Sequence, residues 1–244
     1  MTDFARRLTE AERVMTYENR RPKDAATLLI LDRRGKDVHV LMGKRHRGHV
    51  FMPGKFVFPG GRVDPADSRV PVASDYDEAT RMRVMARMRA PRTAARARAL
   101  AVTAVRETYE EVGLFIGTKS AKKPVGADWA AFAERSLLPD LAPFRLIARA
   151  ITPPRRPRRF DTRFFAISAD HVADRLPEGT GPSGELEEVQ WVPLRDVAHL
   201  DMPTVTNTVI DELLIRLETD PDLREAPPAS FYHWRGRGFV RETV

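Results

Sequence analysis

Glu107, Glu110 and Glu111 stand at i, i+3 and i+4 in the stretch RETYEEVG, residues 106–113. On a helix that spacing puts the three side chains on one face. Like charges so placed repel by roughly a few tenths of a kcal/mol per pair. A divalent cation held among them removes the conflict, and hard oxygen donors suit Mg2+ or Mn2+. The spacing alone also suits a solvated acidic face. Here, however, the face sits in an Arg-rich chain, beside apolar Tyr109 and Val112, and is closed by Gly113, a helix-stopping residue. A second acidic stretch, FPGGRVDPAD (58–67), sets two glycines after a proline and then Asp64 and Asp67 three residues apart. By itself it reads either as an ordinary turn or as half of a phosphate- and metal-handling site. The chain has no cysteine, so thiolate metal sites and thiol nucleophiles are excluded and carboxylates are the main metal-ligand candidates.

The elements that must position these groups follow from periodicity. AATLLILD (25–32) and DVHVLMGKR (37–45) read as a strand hairpin across RRGK, and Phe56–Phe58 as a short strand entering the glycine pair. Residues 4–18 read as a short amphipathic helix. Residues 75–98 are rich in Arg and Met and are split by Pro91, which predicts one helix before it and a second starting near Thr93 and ending at Gly113. WAAFAERSLL (129–138) suggests a short helix. FRLIARAIT (144–152) and RFDTRFFAIS (159–168) read as strands joined by a stiff basic connection, PPRRPRR, and LEEVQWVPL as a later strand. Val205, Val209, Leu213 and Leu217 share one face of a helix over 204–218. The tail from Glu225 reads as a docking arm or a loose end.

This mixture has neither a regular βαβ alternation nor a repeat. It predicts one α+β domain over residues 1–244, with a mixed sheet, a helical insertion at about 68–98 and a tail at about 225–244. With 41 Lys plus Arg against 34 Asp plus Glu, the net charge of +7 suits an anionic ligand, although an Arg-rich coding bias gives the same excess. No apolar run approaches the length of a membrane span, and the first residues carry no apolar signal core, so a cytoplasmic protein is expected.

The stretch Arg106-Glu107-x-x-Glu110-Glu111-x-Gly113-Leu114 resembles the downstream half of the Nudix box, with Thr108 in a usually apolar place. The upstream half resembles PGGRVDPAD, where Gly61 plus six lands on Asp67 instead of the family's Glu. Arg106 lies 45 residues after Gly61 where an uninterrupted box has 14, so about 31 extra residues sit inside it. Upstream, Leu41, Arg45, Gly54 and Phe58 fall in register with the coenzyme A diphosphatase signature, while Gly43 and Val50 depart from its Thr and second Arg. One Nudix branch combines such an insertion with that activity.

The resemblance implies an α/β/α sandwich with a mixed central sheet and hydrolysis of a nucleoside diphosphate linked to another group, with coenzyme A or an acyl derivative as the leading substrate. It implies Mg2+ or Mn2+ on Glu107, Glu110 and Glu111, with Asp67 an open fourth candidate. Glu107 and Glu110 are the expected catalytic acids, and Arg106 is expected to orient a box glutamate. The general base varies in the family, and Glu187 and Glu188 are candidates alongside the box acids. Arg45, Gly60 and Gly61 are expected at the substrate, together with Arg159 of the Arg155, Arg156, Arg158 and Arg159 cluster. On 159–168, Phe160, Thr162 and Phe164 share one face and Asp161 and Arg163 the other; either Asp161's face meets substrate or these are core positions. Met82, Met85 and Met88 make the insertion a lid, a specificity element or a dimer face. A homodimer agrees with the family's habit, and nucleic acid is the less favoured partner. ADP-ribose, a reduced dinucleotide, capped RNA, or a non-catalytic binding role on the same scaffold are the competing readings.

Overall fold

The computed structural model describes residues 3–11, 13–46, 48 and 53–244. Val50, the departure from the diphosphatase signature, lies outside the described residues. Among the described residues, thirteen strands and five α-helices run in the order α1 (Asp3–Glu10), β1 (Lys23–Arg34), β2 (Asp37–Lys44), β3 (Phe56–Val57), β4 (Gly60–Arg62), α2 (Glu78–Met85), α3 (Ala94–Val112), β5 (Leu114–Ile116), β6 (Thr118–Lys119), α4 (Ala130–Glu134), β7 (Leu137–Leu138), β8 (Arg145–Ile151), β9 (Phe160–Ser168), β10 (Val172–Arg175), β11 (Gln190–Pro193), α5 (Thr204–Thr219), β12 (Ser230–Arg235) and β13 (Gly238–Thr243).

The central sheet has the order β11-β2-β1-β9-β8-β12-β13, with β3 beside β2 and β4 beside β1. The β1–β9 and β8–β12 pairs are parallel and the rest antiparallel, so the sheet is mixed. β1 buries both of its faces. Ala26, Leu28 and Ile30 join a core with α3, Val84 of α2 and Phe132 of α4, whereas Leu29 and Leu31 join one with α1 and α5. Helices on both sides of one mixed sheet make the expected α/β/α sandwich. Among the described residues no helix is long and apolar enough to cross a membrane.

α3 forms where the periodicity places it. Thr93 accepts from the Arg96 N–H at one end, and Gly113, at a φ of 74°, closes the other in the left-handed conformation. Two elements differ from expectation. α1 ends at Glu10, because the following chain lies along the basic connection: the Tyr17 N–H donates to Arg155 O and the Lys23 N–H to Arg159 O. The tail is neither loose nor an arm. β12 and β13 extend the sheet beyond β8, and Arg241 and Tyr232 both reach the buried Glu212 of α5.

Candidate active site

The last turns of α3 face the turn that leads into β4. Gly61 fits there because a Cβ on it would lie 2.4 Å from the Glu107 carboxylate, and Gly60 because a Cβ would lie 2.4 Å from Ala26 O. The glycine pair therefore lets backbone approach the acidic face where any side chain would block it. The Gly60 N–H donates to Glu111 Oε2 at 2.9 Å.

Arg106 is the hub of this region. Its side chain is 9% exposed, and Nη1 lies 2.9 Å from Glu107 Oε1 and 3.0 Å from Glu110 Oε2. Nε and Nη2 donate to the two oxygens of Asp67 at 3.1 and 3.2 Å. Asp67 also accepts from Thr103 Oγ1 at 2.7 Å and from the Asp64 N–H at 3.1 Å. With a side chain only 1% exposed, Asp67 is saturated by its own neighbours. Burial pulls on the Arg106 guanidinium, but the hydrogen bond to Asp67 and the glutamate charges hold its pKa above the ordinary value.

The glutamates carry more negative charge than Arg106 can balance. Burial pushes the Glu111 carboxyl up to about 8, aided by the charge of Glu107 and opposed by the Gly60 N–H. Burial likewise pushes Glu107 up to about 7, against the pull of Arg106, and raises Glu110. The nearest cation to Glu111 beyond the hub is Arg45, 3.8 Å away, which also lies 3.8 Å from Glu185.

A cleft of about 810 Å3 opens from these groups across the sheet. Its walls include Arg45, Gly60, Gly61, Glu107, Glu111 and Glu185. Its floor continues over Ala25 and Thr27 of β1 and Thr162 and Phe164 of β9 to Arg156 and Arg158. That volume suits a nucleotide conjugate.

A solved Nudix hydrolase from Alicyclobacillus acidocaldarius matches this chain with a TM-score of 0.62 at 27% identity, over 87% of this chain and 98% of that one. The chain is a Nudix-superfamily hydrolase. Shallower likenesses run to the Nudix hydrolase RenU from M. smegmatis (TM-score 0.44, 17% identity, 82% and 88% covered) and to the Nudix domain of Shewanella oneidensis NrtR, solved with ADP ribose (0.45, 16%, 89% and 99%). No protein-family model and no curated protein matches the chain.

Nudix hydrolases generally need a divalent metal ion. Among the described residues no three acidic or histidine side chains converge ready-made on one point. The donor set nonetheless fits such an ion, because Glu107, Glu110 and Glu111 are hard oxygen donors whose pKa values burial raises, and a cation among them would favour the ionised form.

The expected substrate residues separate into two groups. Arg45, Gly60 and Gly61 line the cleft. Arg159 and Asp161 do not line it, which corrects the expectation that placed them at the substrate. Arg159 is spent on Thr152 O, Asn19 Oδ1 and Arg20 O. Asp161 points to the opposite sheet face, where Arg149 donates to both its oxygens at 2.8 and 2.7 Å and Arg163 Nη1 lies 3.1 Å away. Burial raises the Asp161 pKa, but those arginines override it and hold the acid below the ordinary range. Arg149 also binds Ala86 O and Arg87 O, so this buried cluster clamps the end of α2 to the back of the sheet. No residue from 68 to 98 lines the cleft. Met88 is fully buried and Met82 is exposed, so the methionines divide between core and surface.

Glu187 and Glu188 are engaged at the surface with His46 and Lys44. The acid that reaches the cleft is Glu185, which no sequence spacing singled out. Its loop is pinned to the end of α3, where the Ser183 N–H donates to Glu110 O at 2.8 Å and the Gly181 N–H to Glu111 O at 3.2 Å. These bonds satisfy carbonyls that the helix end leaves open. A Cβ at position 181 would lie 2.2 Å from Glu110 O, so the loop seats this closely only with glycine there.

Proposed function

We propose that the chain hydrolyses the diphosphate bond of coenzyme A or an acyl derivative, with Mg2+ or Mn2+ held by Glu107, Glu110 and Glu111. The observation that carries this reading is the pair of carboxylates, half-buried Glu107 and buried Glu111, both with raised pKa values, at the Gly60–Gly61 end of the cleft. The register of Leu41, Arg45, Gly54 and Phe58 supports coenzyme A as the substrate. A divalent cation held there would supply charge neutralisation for the diphosphate and would lower the pKa of the attacking water.

The chain's own residues do the rest. Arg106 holds Glu107 and Glu110 in place through Nη1, and Asp67 holds Arg106, so Asp67 is a positioning residue and not a ligand. The Gly60 N–H fixes the rotamer of Glu111. Arg45 binds a substrate phosphate oxygen at the cleft mouth. Water attacks one phosphorus, the bridging P–O bond breaks, and Glu185 accepts the proton that the water gives up. The products are 3′,5′-ADP and phosphopantetheine or its acyl form.

The test is a substrate panel at matched metal concentration: coenzyme A, acetyl-coenzyme A, ADP-ribose, NADH and a capped RNA. Preferential turnover of the coenzyme A pair is expected. Preference for another member leaves the hydrolase and overturns the substrate.

A further inference from the structure

The far end of the cleft has the opposite chemistry to the glutamate end. Arg13, Arg156 and Arg158 line it, and among the described residues none of the three has an ion pair with an acid. Arg13 and Arg156 are placed by neutral groups. Arg13 donates to Ala11 O and Leu8 O, and its guanidinium lies 5.6 and 5.5 Å from the ring centres of Trp234 and Phe239. Arg156 donates to Val14 O at 3.1 Å. Arg158 is exposed and makes no hydrogen bond among the described residues. Burial and the charge of Arg156 both depress the Arg13 pKa, as happens where cations gather without a counter-ion.

The strand register sets the distance between the two poles. Gly61, against Glu107, pairs with Ala26 of β1, and Phe160, beside the arginines, pairs with Lys23. Three residues along the strand, about 10 Å, and two strand spacings across the sheet, about 9.5 Å, separate them, so the two backbone positions lie roughly 14 Å apart. A nucleoside and the reach of an arginine side chain together span that distance. A ligand whose diphosphate sits at the glutamate pole thus brings the far side of its ribose to the arginines.

We propose that Arg13, Arg156 and Arg158 form a second anion subsite for a phosphate monoester carried on the ribose of the nucleoside diphosphate. The proposal rests on the hydrolase reading above and narrows its substrates to ribose-phosphorylated nucleotides. Guanidinium groups suit a phosphate dianion because several N–H donors meet several oxygens. Arg13 is the least free of the three, since it is also stacked against the β12–β13 hairpin, so Arg156 and Arg158 are the residues to vary.

The binding arm measures 3′,5′-ADP and 5′-AMP by calorimetry on the full chain. Wild type binds 3′,5′-ADP at least about tenfold more tightly, and the gap closes in Arg156→Gln/Arg158→Ala, whose melting temperature matches wild type. Equal binding of the two nucleotides overturns the subsite. So does an RNA oligonucleotide that binds through these arginines and is not displaced by 3′,5′-ADP. If the double variant melts early, Arg158→Ala alone is read, since that side chain is exposed and unbonded. The turnover arm compares coenzyme A with 3′-dephospho-coenzyme A. The subsite predicts a kcat/KM ratio above ten that collapses towards one in the variant. Hydrolysis of both alike, unaffected by the arginines, overturns the subsite and retains the hydrolase. Binding through the arginines with hydrolysis of neither overturns the hydrolase reading and retains the subsite.

Discussion

Replacing Asp67 separates a residue that binds metal from one that holds an arginine. Its side chain is 1% exposed and accepts four hydrogen bonds: two from Arg106, one from Thr103 and one from the Asp64 N–H. Asp67→Ala strips all four and leaves Nε of a buried guanidinium without an acceptor and Nη2 with only Arg62 O at 3.4 Å. Removing one partner of a buried ion pair costs about 3–5 kcal/mol. Glu107 and Glu110 still neutralise Nη1, so the lower end, about 3 kcal/mol, is the expected loss. Asp67→Asn keeps an acceptor and loses the charge, and about 1–2 kcal/mol is expected. Urea unfolding measures both values. A Mn2+ titration of the same proteins then compares Asp67→Asn with Glu107→Gln. A positioning role predicts that Asp67→Asn unfolds earlier but keeps far more Mn2+ affinity than Glu107→Gln. An Asp67→Asn protein as stable as wild type that loses Mn2+ as completely as Glu107→Gln would refute the reasoning.

Other outcomes follow from the same contacts. Asp161→Ala leaves Arg149 without an acid partner and Arg163 with Asp24 alone, and is expected to cost about 3–5 kcal/mol in urea unfolding; its KM should stay near the wild-type value, because the side chain faces away from the cleft. Without metal, stability should fall as pH rises. Glu107 and Glu111 have native pKa values of about 7 and about 8, above the ordinary 4.5, so the native state binds more protons than the unfolded chain in between. Their contribution is full below pH 4.5 and is lost as pH climbs through 7 and 8, on the order of 5 kcal/mol for Glu111 alone. Thermal melts in EDTA from pH 5 to 9 read the fall, and Mn2+ at pH 8 should reverse it. Gly181→Ala forces a Cβ against Glu110 O, which should cost about 1–3 kcal/mol and lower kcat by displacing Glu185, seen by comparing melts with turnover.

Much of the site's first half was legible because local rules govern it. α3 has a 3.6 period, a Thr93 cap and a Gly113 stop, so its acidic face could be drawn before any fold was known. The β8 and β9 strands and the α5 face followed from similar patterns. What stayed hidden depends on long-range packing. Alternation on β9 separated Asp161 from Thr162, but both faces are buried, so alternation did not say which one meets the cleft. Glu185 reaches the site only because a loop about 70 residues after α3 seats on that helix's carbonyls. The tail did carry a usable signal: aromatic alternation in SFYHWR, then Gly236-Arg237 as a two-residue turn before the return strand. α1 stops early because segment 13–22 finds its backbone partners on the basic connection, which no helical pattern encodes.

The central claim is that the α3 glutamates run a metal-dependent diphosphate hydrolysis. The direct measurement is product release from coenzyme A, followed by chromatography with and without Mn2+, for wild type and for Glu107→Gln and Glu111→Gln proteins of verified fold. The account predicts 3′,5′-ADP from wild type only with metal, and a loss of at least about a hundredfold in each variant. Wild-type turnover that ignores both Mn2+ and the two substitutions would contradict it.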